Sequence, residues 1–100
     1  MLQIAEGDFV IVAYNVPGIS AKKKGTTVRK YLGKILDVRP TTCEVKYLRP
    51  YKGRKEVFSF PDKDDIDTVR KESIIRTLHK PVEFRGKFDF LMDVFKKSLT

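Results

Sequence analysis

Apolar and polar positions alternate in short runs over the first three quarters of the chain. Phe9-Val10-Ile11-Val12-Ala13-Tyr14 follows a Gly7-Asp8 turn and is ended by Asn15, Pro17 and Gly18, which predicts a first strand. A second strand is expected over Val28–Val38, clearest from Tyr31 to Val38. The third, Cys43–Leu48, alternates cleanly. Cys43, Val45 and Tyr47 fall on one face and Glu44 and Lys46 on the other, as in a sheet with one wet side. Pro50 stops that strand, and Lys52-Gly53-Arg54 turns into a fourth, Val57–Phe60, closed by Pro61. Thr68-Val69-Arg70 is the last, followed by a short helical turn at Lys71-Glu72-Ser73 and a return to the sheet at Ile74-Ile75.

Beyond Pro81 the period changes. Phe88, Leu91, Met92, Phe95 and Leu99 follow the spacing of one helix face. The expected fold is therefore all-β: a small five-stranded SH3-like barrel over residues 1–80, with an amphipathic helical extension over 81–100. An OB-type barrel is the second choice. Closure would hide the edges that a short open sheet exposes. The apolar helix would pack on the barrel or carry a protein partner or a second copy, since its phenylalanines are costly to leave in water.

Charge adds a location to this pattern. The 100 residues carry a net charge of +8. Residues 22–55 alone hold twelve Lys and Arg against Asp37 and Glu44, while the carboxyl-terminal 45 residues are balanced. The sharpest run is Lys22-Lys23-Lys24 followed by Arg29-Lys30, expected on a loop as a solubilising tip or a phosphate contact. The sign then flips at Asp62-Lys63-Asp64-Asp65-Ile66-Asp67, which reads as an intramolecular counter-patch or a capped turn. It lacks the ligand spacing and central glycine of an EF-hand loop.

The chemistry-bearing residues exclude several classes. Cys43 is the one cysteine and His79 the one histidine, so neither a disulfide within the chain nor a Cys/His zinc cluster is available. Cys43 is expected as a core strand residue and His79 at the surface near a turn. No spacing brings a nucleophile, a base and an orienting group together, and Lys24-Gly25-Thr26-Thr27 lacks the opening glycines of a phosphate loop. No enzyme activity and no cofactor are expected. The amino terminus does not have the pattern of a secretion signal, and no apolar run approaches the roughly 20 residues that cross a bilayer. A soluble intracellular setting without a membrane partner is the default expectation.

Three aromatic positions give the chain a resemblance to the Tudor family. Gly7-Asp8 opening an alternating strand that ends at Tyr14, Tyr31-Leu32-Gly33-Lys34-Ile35 opening the second, and Val45-Lys46-Tyr47 in the third resemble that family's pattern over residues 6–76. The resemblance implies a barrel whose Tyr14, Tyr31 and Tyr47 wall a cage for methylated lysine or arginine, and with it a chromatin-associated, nuclear protein (alternatively a cytoplasmic one). The family's fourth wall falls on Pro50, with Tyr51 one place late, and its neighbouring polar position falls near Lys52. Phe58 is a further candidate wall from the next strand.

The residues themselves support more than one use. Ring faces attract a weakly hydrated methylated ammonium, stack on bases, or pack a barrel end with wet hydroxyls. The first expectation is a non-catalytic module that binds a methylated protein segment. A second is sequence-nonspecific DNA or RNA binding through Lys22, Lys23, Lys24, Arg29, Lys30, Lys34, Lys46, Arg49, Lys52, Arg54 and Lys55. A third is a protein-interaction or dimer module.

Overall fold

The computed structural model describes residues 3–17 and 26–96; the expected loop cations Lys22, Lys23 and Lys24, and Leu99 of the expected helix, lie outside them. The described chain is all-β, in two antiparallel sheets. One contains β1 (Phe9–Pro17), β2 (Thr26–Val38), β3 (Thr42–Tyr47), β6 (Ile66–Arg70) and β7 (Ile74–Leu78) in the order β6-β3-β2-β1-β7. The other contains β4 (Arg49–Pro50), β5 (Val57–Ser59), β8 (Val82–Phe84) and β9 (Lys87–Asp89) in the order β4-β5-β9-β8. Lys71–Ser73 form a single 3-10 turn at the predicted place, and Tyr51–Gly53 form a second.

Two expectations are corrected here. The five-stranded sheet is open, with β6 and β7 at its opposite edges, so the expected SH3-like barrel does not close. The short turn at Lys71–Ser73 delivers β7 beside β1 instead of beside β6. With the barrel goes the structural basis for the Tudor-like, chromatin-associated and nuclear assignment.

The second correction is the carboxyl-terminal helix, which would have been the surface for a protein partner. No α-helix occurs among the described residues, and none there is long and apolar enough to cross a membrane. Arg85 and Gly86 both adopt positive φ, 51° and 76°, and form a two-residue hairpin between β8 and β9 with Phe84 opposite Lys87. Phe88 and Phe90 then bury their rings at a period of two, not 3.6. Asp89 Oδ1 accepts the Leu91 N–H at 2.8 Å and Leu91 turns at φ 59°, which leaves its side chain 71% exposed. A local carboxylate acceptor here competes with helical hydrogen bonds.

β1 explains how the two sheets share one chain. Val10 and Val12 point to one face, into a core with Ile35, Cys43, Val45, Tyr47, Val69 and Ile74. Phe9 and Ile11 point to the other, into a core with Leu32, Leu48, Phe58, Phe88, Phe90 and Val94. A strand buried on both faces reads as the continuous apolar run seen at Phe9–Val12. The second sheet is seated by aromatic contacts. Phe9 lies 5.3 Å from Phe88 and 5.4 Å from Phe90, ring centre to ring centre. The Phe90 N–H also donates to the Glu56 carbonyl at 2.8 Å.

β3 has the predicted alternation, with Cys43, Val45 and Tyr47 buried and the residues between them less so. Burial pushes the Cys43 thiol pKa upward, which disfavours the reactive thiolate. His79 is exposed, while its Nε2–H donates to the Phe90 carbonyl at 2.7 Å.

Candidate functional site

The strand registers carry three tyrosines to one face of the five-stranded sheet. Antiparallel partners point the same way, and successive residues alternate. Val12 is opposite Tyr31, Gly33 is opposite Tyr47, and Val45 is opposite Asp67. Tyr14, two residues beyond Val12, therefore shares a face with Tyr31, Tyr47, Asp65 and Asp67. Gly33 leaves the space that Tyr47 needs. A Cβ there would overlap Val45 Cγ1 and lie 3.3 Å from Tyr47 Cδ1.

Tyr31 meets Tyr14 and Tyr47 edge to face, and Tyr14 and Tyr47 are tilted to one another. Centroids are 5.5 Å apart for Tyr14 and Tyr31, 5.9 Å for Tyr31 and Tyr47, and 6.2 Å for Tyr14 and Tyr47, with interplanar angles from 56° to 69°. An ammonium set against the trio would stand within the cation–π range of about 6 Å of every ring. The three line an open pocket of about 410 Å³ together with Arg49, Asp65, Ile66 and Asp67. Tyr47 is the floor, 5% exposed, while Tyr14 and Tyr31 are part-buried.

A hydroxyl chain fixes two of the rings. Tyr14 donates its single O–H hydrogen to Asp67 Oδ2 at 3.0 Å, so Tyr47 is the donor in the bond between the two tyrosine hydroxyls. Burial, together with donation to Tyr14, pushes the Tyr47 phenol well above its ordinary pKa. Burial raises Tyr14 too, and its bond to Asp67 acts in the same direction. Both rings therefore stay neutral across the physiological range.

The acidic run reaches this site through strand pairing. The Tyr47 N–H donates to the Asp65 carbonyl at 2.8 Å, just before β6 pairs with β3. Sequence reasoning missed Asp65 and Asp67 as site residues because it began the last strand at Thr68. Their i, i+2 spacing on either side of Ile66 was the available signal, since that spacing repeats a strand face.

The other candidate walls lie elsewhere. Phe58 is 2% exposed in the core between the sheets, with its ring 6.0 Å from those of Phe90 and Phe95. Tyr51 sits beside the second sheet with Lys87 Nζ 4.5 Å and Lys52 Nζ 5.4 Å from its ring centre. Hydrogen bonding to Lys87 lowers the Tyr51 pKa.

The candidate phosphate contacts are similarly divided. Lys46 pairs with Asp64 at 3.3 Å, Arg49 with Asp65 at 2.8 Å, and Arg54 with Glu56 at 2.6 Å. Lys46 also lies 4.4 Å from the Phe60 ring centre, and Lys34 5.6 Å from that of Phe9. Arg29, Lys30, Lys52 and Lys55 are exposed. The acidic run thus acts as an intramolecular counter-patch to Lys46 and Arg49, and the expected basic surface is broken by carboxylates.

Among the described residues, no group of three His, Cys, Asp or Glu side chains is arranged to hold a metal ion. Comparison of the chain with protein-family models, with curated proteins and with solved structures finds no match.

Proposed function

We propose that this chain is a non-catalytic binding module that takes a methylated lysine or arginine side chain of a protein segment at Tyr14, Tyr31 and Tyr47. The observation that carries the reading is the grouping of three mutually tilted rings, from three strands, in one open pocket with Asp65 and Asp67. A methylated ammonium keeps its positive charge but sheds water more readily than a bare one. It gains from ring faces what it loses in hydration. Asp65 is paired with Arg49, which lines the same pocket, so Asp67 is the carboxylate that offers favourable charge to a basic segment at the mouth.

The test is a titration of the ¹⁵N-labelled chain with short peptides carrying unmethylated, mono-, di- and trimethylated lysine, and methylated arginine. Methylation-dependent shifts centred on Tyr14, Tyr31 and Tyr47 are expected. Equal response to methylated and unmethylated peptides, or shifts that avoid the three tyrosines, refutes the proposal.

A further inference from the structure

Lys30, Arg76 and Lys96 come from three separate places in the chain and converge on one pocket of about 250 Å³. Lys30 is on β2, Arg76 on β7, and Lys96 lies two residues beyond Val94, whose N–H donates to the Lys55 carbonyl at 3.1 Å. Lys30 precedes Tyr31 on its strand and so points to the opposite face of the sheet, away from the tyrosine pocket. Ile11, Ile75, Val94 and Phe95 complete the lining, which contains no carboxylate.

The tyrosine pocket sets Arg49 beside Asp65 and Asp67, and the pocket beside the second sheet sets Arg54 and Lys87 beside Asp89, whereas this lining gathers cations alone. None of the ion pairs among the described residues involves Lys30, Arg76 or Lys96. Three like charges gathered around an apolar floor repel one another, and an anion relieves that repulsion.

We propose that this pocket binds a phosphate monoester with a small apolar body. Three cations suit the charge of a monoester, about −1.5 to −2 at neutral pH. Arg76 offers a planar fork and the lysines offer point charges to its oxygens. Ile75 and Phe95 take the apolar part. The small pocket favours a terminal group over the continuous phosphodiester chain of a nucleic acid, which requires a charged groove that runs on.

The experiment is a titration of the full-length ¹⁵N-labelled chain with phenyl phosphate at two salt concentrations, with phenol and sulfate as controls. Saturable shifts at Ile75, Arg76, Phe95 and Lys96 are expected, stronger than with either control. Arg76→Gln and Lys96→Gln should each weaken binding by about threefold to tenfold, in line with loss of one charge-assisted contact. A gain in affinity when the phosphate is carried on a phosphotyrosine peptide assigns the site to polypeptides; no gain assigns it to small phosphoesters. The proposal is overturned if sulfate matches phenyl phosphate, if shifts instead follow Lys52 and Lys55, if both variants bind as the parent does, or if single-stranded RNA binds these residues more tightly. Because the titrant is a phosphoester, failure here is distinct from failure of the methylated-peptide reading.

Discussion

Tyr47 donates its hydroxyl hydrogen to the hydroxyl of Tyr14, 33 residues earlier, and Tyr14 in turn donates to Asp67. This chain links three strands of one sheet and holds two ring faces at a set angle. Pre-set rings bind a ligand without first losing their own rotational freedom.

The proposed contribution of Tyr31 is separable from the hydroxyl chain. Tyr31→Ala should lower affinity for a trimethyllysine peptide at least about tenfold, because it removes one ring of the trio. Its part-buried position makes the fold tolerant of the change. Isothermal titration calorimetry with the methylated peptide checks this, and unchanged affinity would remove Tyr31 from the site. Tyr47→Phe keeps the ring and loses the hydroxyl, so it should retain most of the binding.

Asp67 is exposed, so its charge should act mainly through long-range attraction. Asp67→Asn is expected to weaken peptide binding about twofold to fivefold at low salt, with the difference shrinking as ionic strength rises. Titrations at 20 mM and 500 mM salt measure it. A loss that is the same at both would assign Asp67 a structural role instead.

Tyr51 should ionise separately from Tyr14 and Tyr47. Tyr51, lowered by its bond to Lys87, titrates first, and Tyr14 and Tyr47, raised chiefly by burial, titrate last. Below pH 10.0, the ordinary tyrosine value, Tyr14 and Tyr47 are neutral in both folded and unfolded chains, and their stabilising contribution is complete. Above it the unfolded chain ionises first, so stability falls as pH rises toward the folded values. Phenolate absorbance and urea unfolding between pH 8 and 12 follow both effects. A single step for Tyr14, Tyr47 and Tyr51, with stability flat above pH 10, contradicts the arrangement.

Gly33 gives a packing test. Gly33→Ala places a methyl against Val45 and Tyr47, which should cost about 1–3 kcal/mol and displace the Tyr47 ring. Thermal unfolding and the Tyr47 ring resonances report the two consequences. A variant as stable as the parent would show that the strands can separate at this point without penalty.

The carboxyl-terminal hairpin gives another. Gly86 stands at φ 76°, and Gly86→Val should destabilise by at least about 1 kcal/mol because a β-branched residue resists that conformation. The aromatic contacts of Phe88 should loosen with it, visible in near-ultraviolet circular dichroism. No change in either signal would argue against the two-residue turn.

The sequence by itself determined the strands whose pattern is local. Alternation at Cys43, Val45 and Tyr47 and the turn at Lys71–Ser73 follow from backbone geometry and neighbouring residues, whereas the expected breaks at Pro17 and Pro50 do not, since both prolines lie within paired strands. It also marked the three tyrosines, because each lies at a readable place on its own strand.

What it left open was decided by pairing over distance. The spacing of Phe88, Leu91, Met92 and Phe95 suits a helix, but burying Phe88 and Phe90 against Phe9 stabilises a strand, and the Arg85-Gly86 turn admits the hairpin. Phe58 belongs to the second sheet, and Tyr51 to the turn beside it, for the same reason. Asp65 and Asp67 joined the site only when β6 paired with β3, since register, not proximity in the chain, sets which side chains share a face. The charge excess of residues 22–55 was legible, but its partial neutralisation by Asp64 and Asp65 was a tertiary event.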